Sequence, residues 1–276
     1  MERIKSAIEK AKKNQKVKQS SLGVGGIYSN RSTANLSQEP SSLDDLTYDK
    51  TKVVQIDDDH LIAKRIVSHN KNNLISTAFD LLRTQVLRKM EENGWRTLAV
   101  TSPSPEAGKT VVAINLAMSI AQQTEKTALL LDLDLRRPKT AEYLGINFEV
   151  SLNDLIEKDI SISDALINPG IPRFVVLAPN KPISNSSEVL VSSRVNNLLT
   201  DIKKRYEDRT VIIDLPPVLN SDDTIAILPK IDCVLMVVAN GMSTQQEIQD
   251  SLNHLKSANL LGVVLNKSEE NTKTYY

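Results

Sequence analysis

Six short apolar runs, Thr97–Thr101, Ala128–Leu133, Phe174–Leu177, Val211–Asp214, Cys233–Val238 and Leu261–Leu265, alternate with helical segments of about ten to twenty residues. Runs that show no polar alternation are buried on both faces, and strands that alternate with helices pair in parallel. The pattern predicts an α/β fold: a mostly parallel sheet covered by helices on both faces. In such sheets ligands bind beyond the carboxyl ends of the strands, so the loops there are the first places to search. The chain has 276 residues, enough for one large domain with appendages, and shows no internal repeat.

The domain is expected to start at Leu74. Leu74, Phe79, Leu81, Leu82, Val86, Leu87 and Met90 recur at helical spacing, and the pattern stops at Asn93-Gly94, where glycine suits a C-cap. Upstream, residues 1–19 carry seven basic residues against Glu2 and Glu9, a local charge of +5, with Ile4, Ala7, Ile8 and Ala11 on one helical face. This basic amphipathic stretch reads either as a solvated terminal helix or as a docking element for a partner or an anionic membrane surface. Residues 20–73, most polar over 20–50, read as a flexible linker, so the N-terminal extension is expected to be disordered or helical. The domain is then 74–268 and the tail 269–276.

Composition closes off other classes. Thirty-four Lys and Arg balance 34 Asp and Glu, which excludes a uniformly basic nucleic-acid binder. A lone Cys233 excludes an internal disulfide, and one Cys with three His offers no structural zinc set. No apolar run approaches the ~18 to 20 residues of a membrane span, and the first residues lack a secretory apolar region. A cytoplasmic location is expected. Cys233 reads as a small buried hydrophobe, His60, His69 and His254 as solvated, and Trp95 as packing at the sheet edge.

The chemistry concentrates in three segments. The first run leads into Thr-Ser-Pro-Ser-Pro-Glu-Ala-Gly-Lys-Thr (101–110) and then a helical stretch, Val111–Ala121. A strand, a short loop, Gly-Lys-Thr and a helix is the setting in which backbone N–H groups wrap a phosphate, the Lys109 ammonium reaches its outer oxygens and the Thr110 hydroxyl ligates Mg²⁺. Pro103 stands where the full pattern has glycine, and Gly-Lys-Thr alone also fits an ordinary turn. The second segment, Leu129–Pro138, ends a strand with Asp132 and Asp134, whose spacing of two predicts one shared face. The third, Val211–Pro217, ends another strand with Asp214. Each aspartate alone could cap the next helix. Three at strand ends beside a Gly-Lys-Thr loop fit the surroundings of a hydrated Mg²⁺.

With Ser102–Thr110, Leu129–Pro138 and Ile212–Pro217 in this order, the chain resembles the bacterial protein-tyrosine kinases of capsule and exopolysaccharide synthesis, within the deviant-Walker P-loop ATPases. It looks particularly like the cytoplasmic autokinases of exosortase-linked clusters. The likeness spans Leu74 to Lys267. It implies ATP and Mg²⁺ as cofactors, a nucleotide loop of Pro105, Glu106, Ala107, Gly108, Lys109, Thr110 and Val111, and Mg²⁺ held by Thr110, Asp132 and Asp214. The implied catalytic residues are Lys109, Asp132, Asp134 and Asp214, with Asp134 taking the incoming hydroxyl's proton. Asn266 is implied to bind adenine, or it is a turn residue; Arg136 and Arg137 meet phosphate charge, or form surface ion pairs. Tyr275 and Tyr276 are the implied autophosphorylation sites.

The implied function is an ATP-dependent tyrosine autokinase that regulates polymerisation and export through a membrane-embedded polysaccharide chain-length or co-polymerase partner. Self-association, a peripheral place at the inner membrane and no nucleic-acid partner go with it. The alternative is a catalytically weak or silent nucleotide-binding adaptor of the same machinery. A partitioning-type ATPase would carry a further lysine near the loop's start, where Pro103, Ser104 and Pro105 stand. Two departures stand out. Relatives read Pro-Gly-x-Gly-Lys where this chain has Pro105-Glu106-Ala107-Gly108-Lys109, which removes a residue free to adopt positive φ. Of the relatives' Glu-x-x-Arg-x-x-Arg ring motif only Arg83 remains, in Thr77–Arg83.

Overall fold

The computed structural model describes residues 51–268 apart from 124, 159, 206 and 207. In chain order the elements are β1 (Lys52–Val53), α1 (Asp58–Ala63), α2 (Leu74–Asn93), β2 (Thr97–Thr101), α3 (Lys109–Ala121), β3 (Thr127–Asp132), α4 (Thr140–Leu144), α5 (Leu152–Glu157) and α6 (Ile162–Ala165). They continue with β4 (Ile167–Asn168), β5 (Phe174–Leu177), α7 (Ser186–Val191), α8 (Ser193–Arg205), β6 (Arg209–Asp214), α9 (Asp223–Ile227), β7 (Cys233–Ala239), α10 (Gln245–His254) and β8 (Leu260–Asn266).

The eight strands lie in the order β1-β4-β5-β3-β6-β2-β7-β8. All neighbours pair in parallel except β4 with β5. Successive residues of β3 feed opposite cores: Ala128 and Leu130 pack with α2 and α3, while Leu129 and Leu131 pack with α8. That is the two-sided cover expected of unbroken apolar strands. The sheet centre is buried throughout, whereas the outer strand β8 alternates and leaves Val263 and Leu265 exposed.

Helix α2 starts where the Asn73 side chain accepts from the Ile75 N–H at 2.9 Å and stops at Gly94 with φ 67. Helix α3 is buried nearly all round, from Val112 to Ala121.

The linker expectation for 20–73 is corrected over residues 51–73. Leu61 and Ile66 are wholly buried, Val67 nearly so, and β1 extends the sheet beside β4. Three large apolar side chains are too few to lift the segment's average hydropathy, yet each occupies a core position. The histidines need correction too: His60 Nε2 donates to the Glu142 carbonyl at 2.9 Å, and His69 lies 3.5 Å from Asp58. His254 is exposed, Cys233 is buried with its thiol pushed up to about 12 by burial and by Asp232, and Trp95 packs on the core beneath α2. The basic stretch 1–19 and the tail 269–276, with Tyr275 and Tyr276, lie outside the described residues.

Candidate active site

Strands β2, β3 and β6 are neighbours, so their following loops converge at one end of the sheet. Leu98 pairs with Ile212 and Asp132 with Asp214, which brings Gly-Lys-Thr and two aspartates together across the sheet. The Lys109 Nζ, largely buried, stands 2.9 Å from Asp134 Oδ2 and 3.3 Å from Asp214 Oδ1. The Thr110 hydroxyl donates to Asp214 Oδ2 at 2.6 Å. A further hydroxyl, Thr101 Oγ1, donates to the Pro216 carbonyl at 2.7 Å and pins the Asp214 loop to the end of β2.

Asp132 makes its hydrogen bonds elsewhere. Its Oδ1 accepts from the Asp134 N–H at 2.9 Å, and its Oδ2 from the N–H groups of Lys139 at 3.2 Å and Thr140 at 3.1 Å, at the start of α4. The expected shared face of Asp132 and Asp134 is therefore corrected: β3 ends at Asp132, the chain turns, and the alternation on which the expectation rested stops there.

Three buried carboxyls around one ammonium leave an excess of negative charge. Burial works to lower the Lys109 ammonium, but Asp214 and Asp134 outweigh it and hold it above its ordinary range. Burial, then the like charge of Asp214, pushes the Asp132 carboxyl from 3.8 to about 7. Asp214 is also raised by burial, opposed by Lys109 and the Thr110 hydroxyl. A divalent cation suits this donor set. Among the described residues no three His, Cys, Asp or Glu side chains form a group that could hold a metal ion by themselves.

The loop itself is shaped by two left-handed residues, Glu106 at φ 63 and Gly108 at φ 89. At Gly108 a Cβ would collide with the Asn266 amide, so glycine is required there. Glu106 is exposed and occupies a conformation that glycine adopts without strain. Asn266 Nδ2 donates to the Ala107 carbonyl at 2.9 Å, so here its amide braces the phosphate loop. Pro105 is exposed, Ala107 buried, and Val111 opens the buried face of α3.

Arg136 resolves towards ion pairing: its Nε donates to Ser186 Oγ at 2.7 Å, and it pairs with Asp222 and buried Asp223, each at 3.3 Å. Arg137 is exposed. Arg83 is held within the chain, donating to Asp80 Oδ1 at 2.8 Å and to the Ser119 carbonyl at 3.1 Å on α3. A cavity of about 530 Å³ opens between α5 and α8, away from all these groups, lined by Leu155, Ile162 and Leu198 with Arg194 at its edge. The chemistry gathers instead on the open phosphate loop.

Sequence reasoning missed Asn115. Wholly buried on α3, it accepts from the N–H groups of Val67 and Ser68 at 2.8 and 3.0 Å and donates to the Arg65 carbonyl at 3.0 Å. The available signal was an amide in the middle of the largely apolar Val111–Ala121 helix.

Known proteins are similar to this chain in sequence and fold. A family described as an AAA domain matches residues 96–264. EpsB of Ralstonia nicotianae is 34% identical over 196 residues, 70% of this chain and 26% of its own length. The tyrosine-protein kinase Wzc of Salmonella typhimurium is 32% identical over 199 residues, 71% of this chain and 27% of its own. The chain thus spans about a quarter of the length of these curated relatives. The solved BceF tyrosine kinase domain superposes with a TM-score of 0.65 at 27% identity, covering 78% of this chain and 91% of that one. A Gly-Lys-Thr loop followed by a buried helix, aspartates ending the two successive strands beside it and a match over residues 96–264 lead to one assignment: the chain belongs to the AAA-domain family, where it is similar to the kinase domains of bacterial tyrosine-protein kinases.

Proposed function

We propose that the chain is an ATP-dependent protein-tyrosine autokinase, with residues 74–268 as the kinase domain and Tyr275 or Tyr276 in the tail 269–276 as acceptor. One observation carries the reading: a buried lysine held between two carboxylates, next to a threonine hydroxyl bonded to one of them. A phosphoryl group in flight is stabilised by positioned positive charge and donors, and covalent help from the protein is not needed. Lys109 exchanges a carboxylate for the outer phosphate oxygens, while the N–H groups at the start of α3 meet the inner ones. Thr110, Asp132 and Asp214 are the residues that would hold a hydrated Mg²⁺, which there offsets the phosphates' charge. Asp134, released from Lys109, orients the phenol and accepts its proton as the tyrosine oxygen bonds to the γ-phosphorus and the bond to ADP breaks.

On the family likeness, the kinase regulates exopolysaccharide or capsule polymerisation and export. It would act through a membrane-embedded co-polymerase partner, at the inner membrane face and in a self-associated form. No helix among the described residues is long and apolar enough to cross a membrane. The second reading, a catalytically weak or silent nucleotide-binding adaptor, is favoured by one observation: a negatively charged side chain at φ 63 in the phosphate loop. Intact-mass analysis after incubation with ATP and Mg²⁺ separates the two. The kinase adds phosphate to the tail and Lys109→Met does not; an unmodified chain that binds nucleotide selects the adaptor.

A further inference from the structure

The segment from Lys52 to Ser68 crosses the domain, and most of its side-chain-mediated bonds fall on the two helices that border the phosphate site. Towards α4, His60 Nε2 donates to the Glu142 carbonyl at 2.9 Å, and Lys64 Nζ pairs with Glu142 Oε1 at 2.8 Å while lying 5.3 Å from the Tyr143 ring centre. At Gly145, which caps α4 at φ 66, an added Cβ would meet the His60 ring. Towards α3, Asn115 holds Val67, Ser68 and Arg65, and the Gln122 amide donates to the Ser68 carbonyl. Helix α3 begins with Lys109, and the first N–H groups of α4 hold the Asp132 carboxylate. A segment that served only to cover apolar surface would need no more than Leu61, Ile66 and Val67, which supply the burial.

We propose that residues 52–68 act as a positioning strap for Asp132: His60 and Lys64 hold Glu142 in the middle of α4, the N–H groups at the start of that helix fix the Asp132 carboxylate, and Asn115 ties the strap to the helix that carries Lys109. His60, Lys64 and Asn115 are positioning residues; none touches Lys109, Asp134 or Asp214. A helix of five residues cannot hold its own shape in water, so α4 depends on contacts at both ends. Asp132 holds its start, and the strap holds Glu142 and Tyr143 beyond it. The proposal rests on reading Asp132 as a site carboxylate.

The test uses the full chain, without nucleotide, and reads amide hydrogen exchange at Lys139 and Thr140, the groups that hold Asp132. The double variant His60→Ala with Lys64→Ala should speed their exchange about tenfold. His60→Gln with Lys64→Arg, which keeps both donors, should restore it. Unchanged exchange at these two amides in the alanine variant, even with a lowered melting temperature, would overturn the proposal and leave the segment a structural cover. A second arm measures phosphate transfer: the alanine variant should lose about fivefold in kcat with KM for ATP within about twofold, and the conservative variant should recover it. A wild-type chain that transfers no phosphate removes the kinase reading, while the exchange arm still decides the strap.

Discussion

Asp132 and Asp214 end adjacent strands as register partners, are the same residue type and are both fully buried, yet they are held by different things. Asp214 faces inward to Lys109 and Thr110, groups fixed to the phosphate loop. Asp132 faces the backbone of a short helix braced from outside by the strap. Burial and position in the sheet therefore do not set a carboxylate's role; the partner does. One aspartate is bonded to the Gly-Lys-Thr loop, and the other to the backbone at the start of α4.

Activity should show the difference most strongly. Asp214→Ala leaves Lys109 and Thr110 without their shared partner and should lower the initial rate of phosphate transfer by at least about a hundredfold. Asp132→Ala, which frees α4 but leaves the lysine's two contacts intact, should cost about tenfold. Equal losses in radiolabel incorporation would break the comparison.

Stability should show it next, on the strap side. Leu61→Ala removes a wholly buried side chain from the strap and should lower unfolding stability by about 3 kcal/mol in a denaturant titration. A loss below about 1 kcal/mol would mean that the strap is not anchored as a core element.

These two faces of the site were unequally legible in the sequence. The six longer strands could be read because each is a largely apolar run bounded by polar turns, and the observed ends fall within two residues of those runs. Strands β1 and β4, two residues each, carry no periodicity to detect. Lys109, Thr110 and Asp214 could be read because they follow strands in a recognisable local order. The strap could not, because its attachment is long-range: Val67 and Ser68 meet Asn115 from 48 and 47 positions away, and Lys64 meets Glu142 from 78. The misplacement of Asp132 beside Asp134 has the same origin, since the α4 amides that redirect it belong to the next element.

Smaller effects sharpen the contrast. A carboxyl whose folded-state value lies above its unfolded one favours the protonated folded form. For Asp132 that contribution to stability is full below its ordinary 3.8 and is lost as pH climbs towards about 7. Nucleotide-free protein should thus melt lower at pH about 8 than at about 5.5, and Asp132→Asn should flatten the slope. A slope unchanged by that substitution would remove Asp132 as its source. Least in size, Glu106→Gly relieves a left-handed side-chain position and should add up to about 1 kcal/mol. It should also tighten Mg²⁺-ATP binding a few-fold in calorimetry by removing a carboxylate from the phosphate loop. A weaker affinity would show that Glu106 serves the site.

The most direct test of the account is a crystal structure with Mg²⁺ and a non-hydrolysable ATP analogue. It should show the Lys109 ammonium moved from Asp134 onto phosphate oxygens, with the metal beside the Thr110 hydroxyl and Asp214. Nucleotide bound elsewhere, with Lys109 still clamped between Asp134 and Asp214, would contradict it.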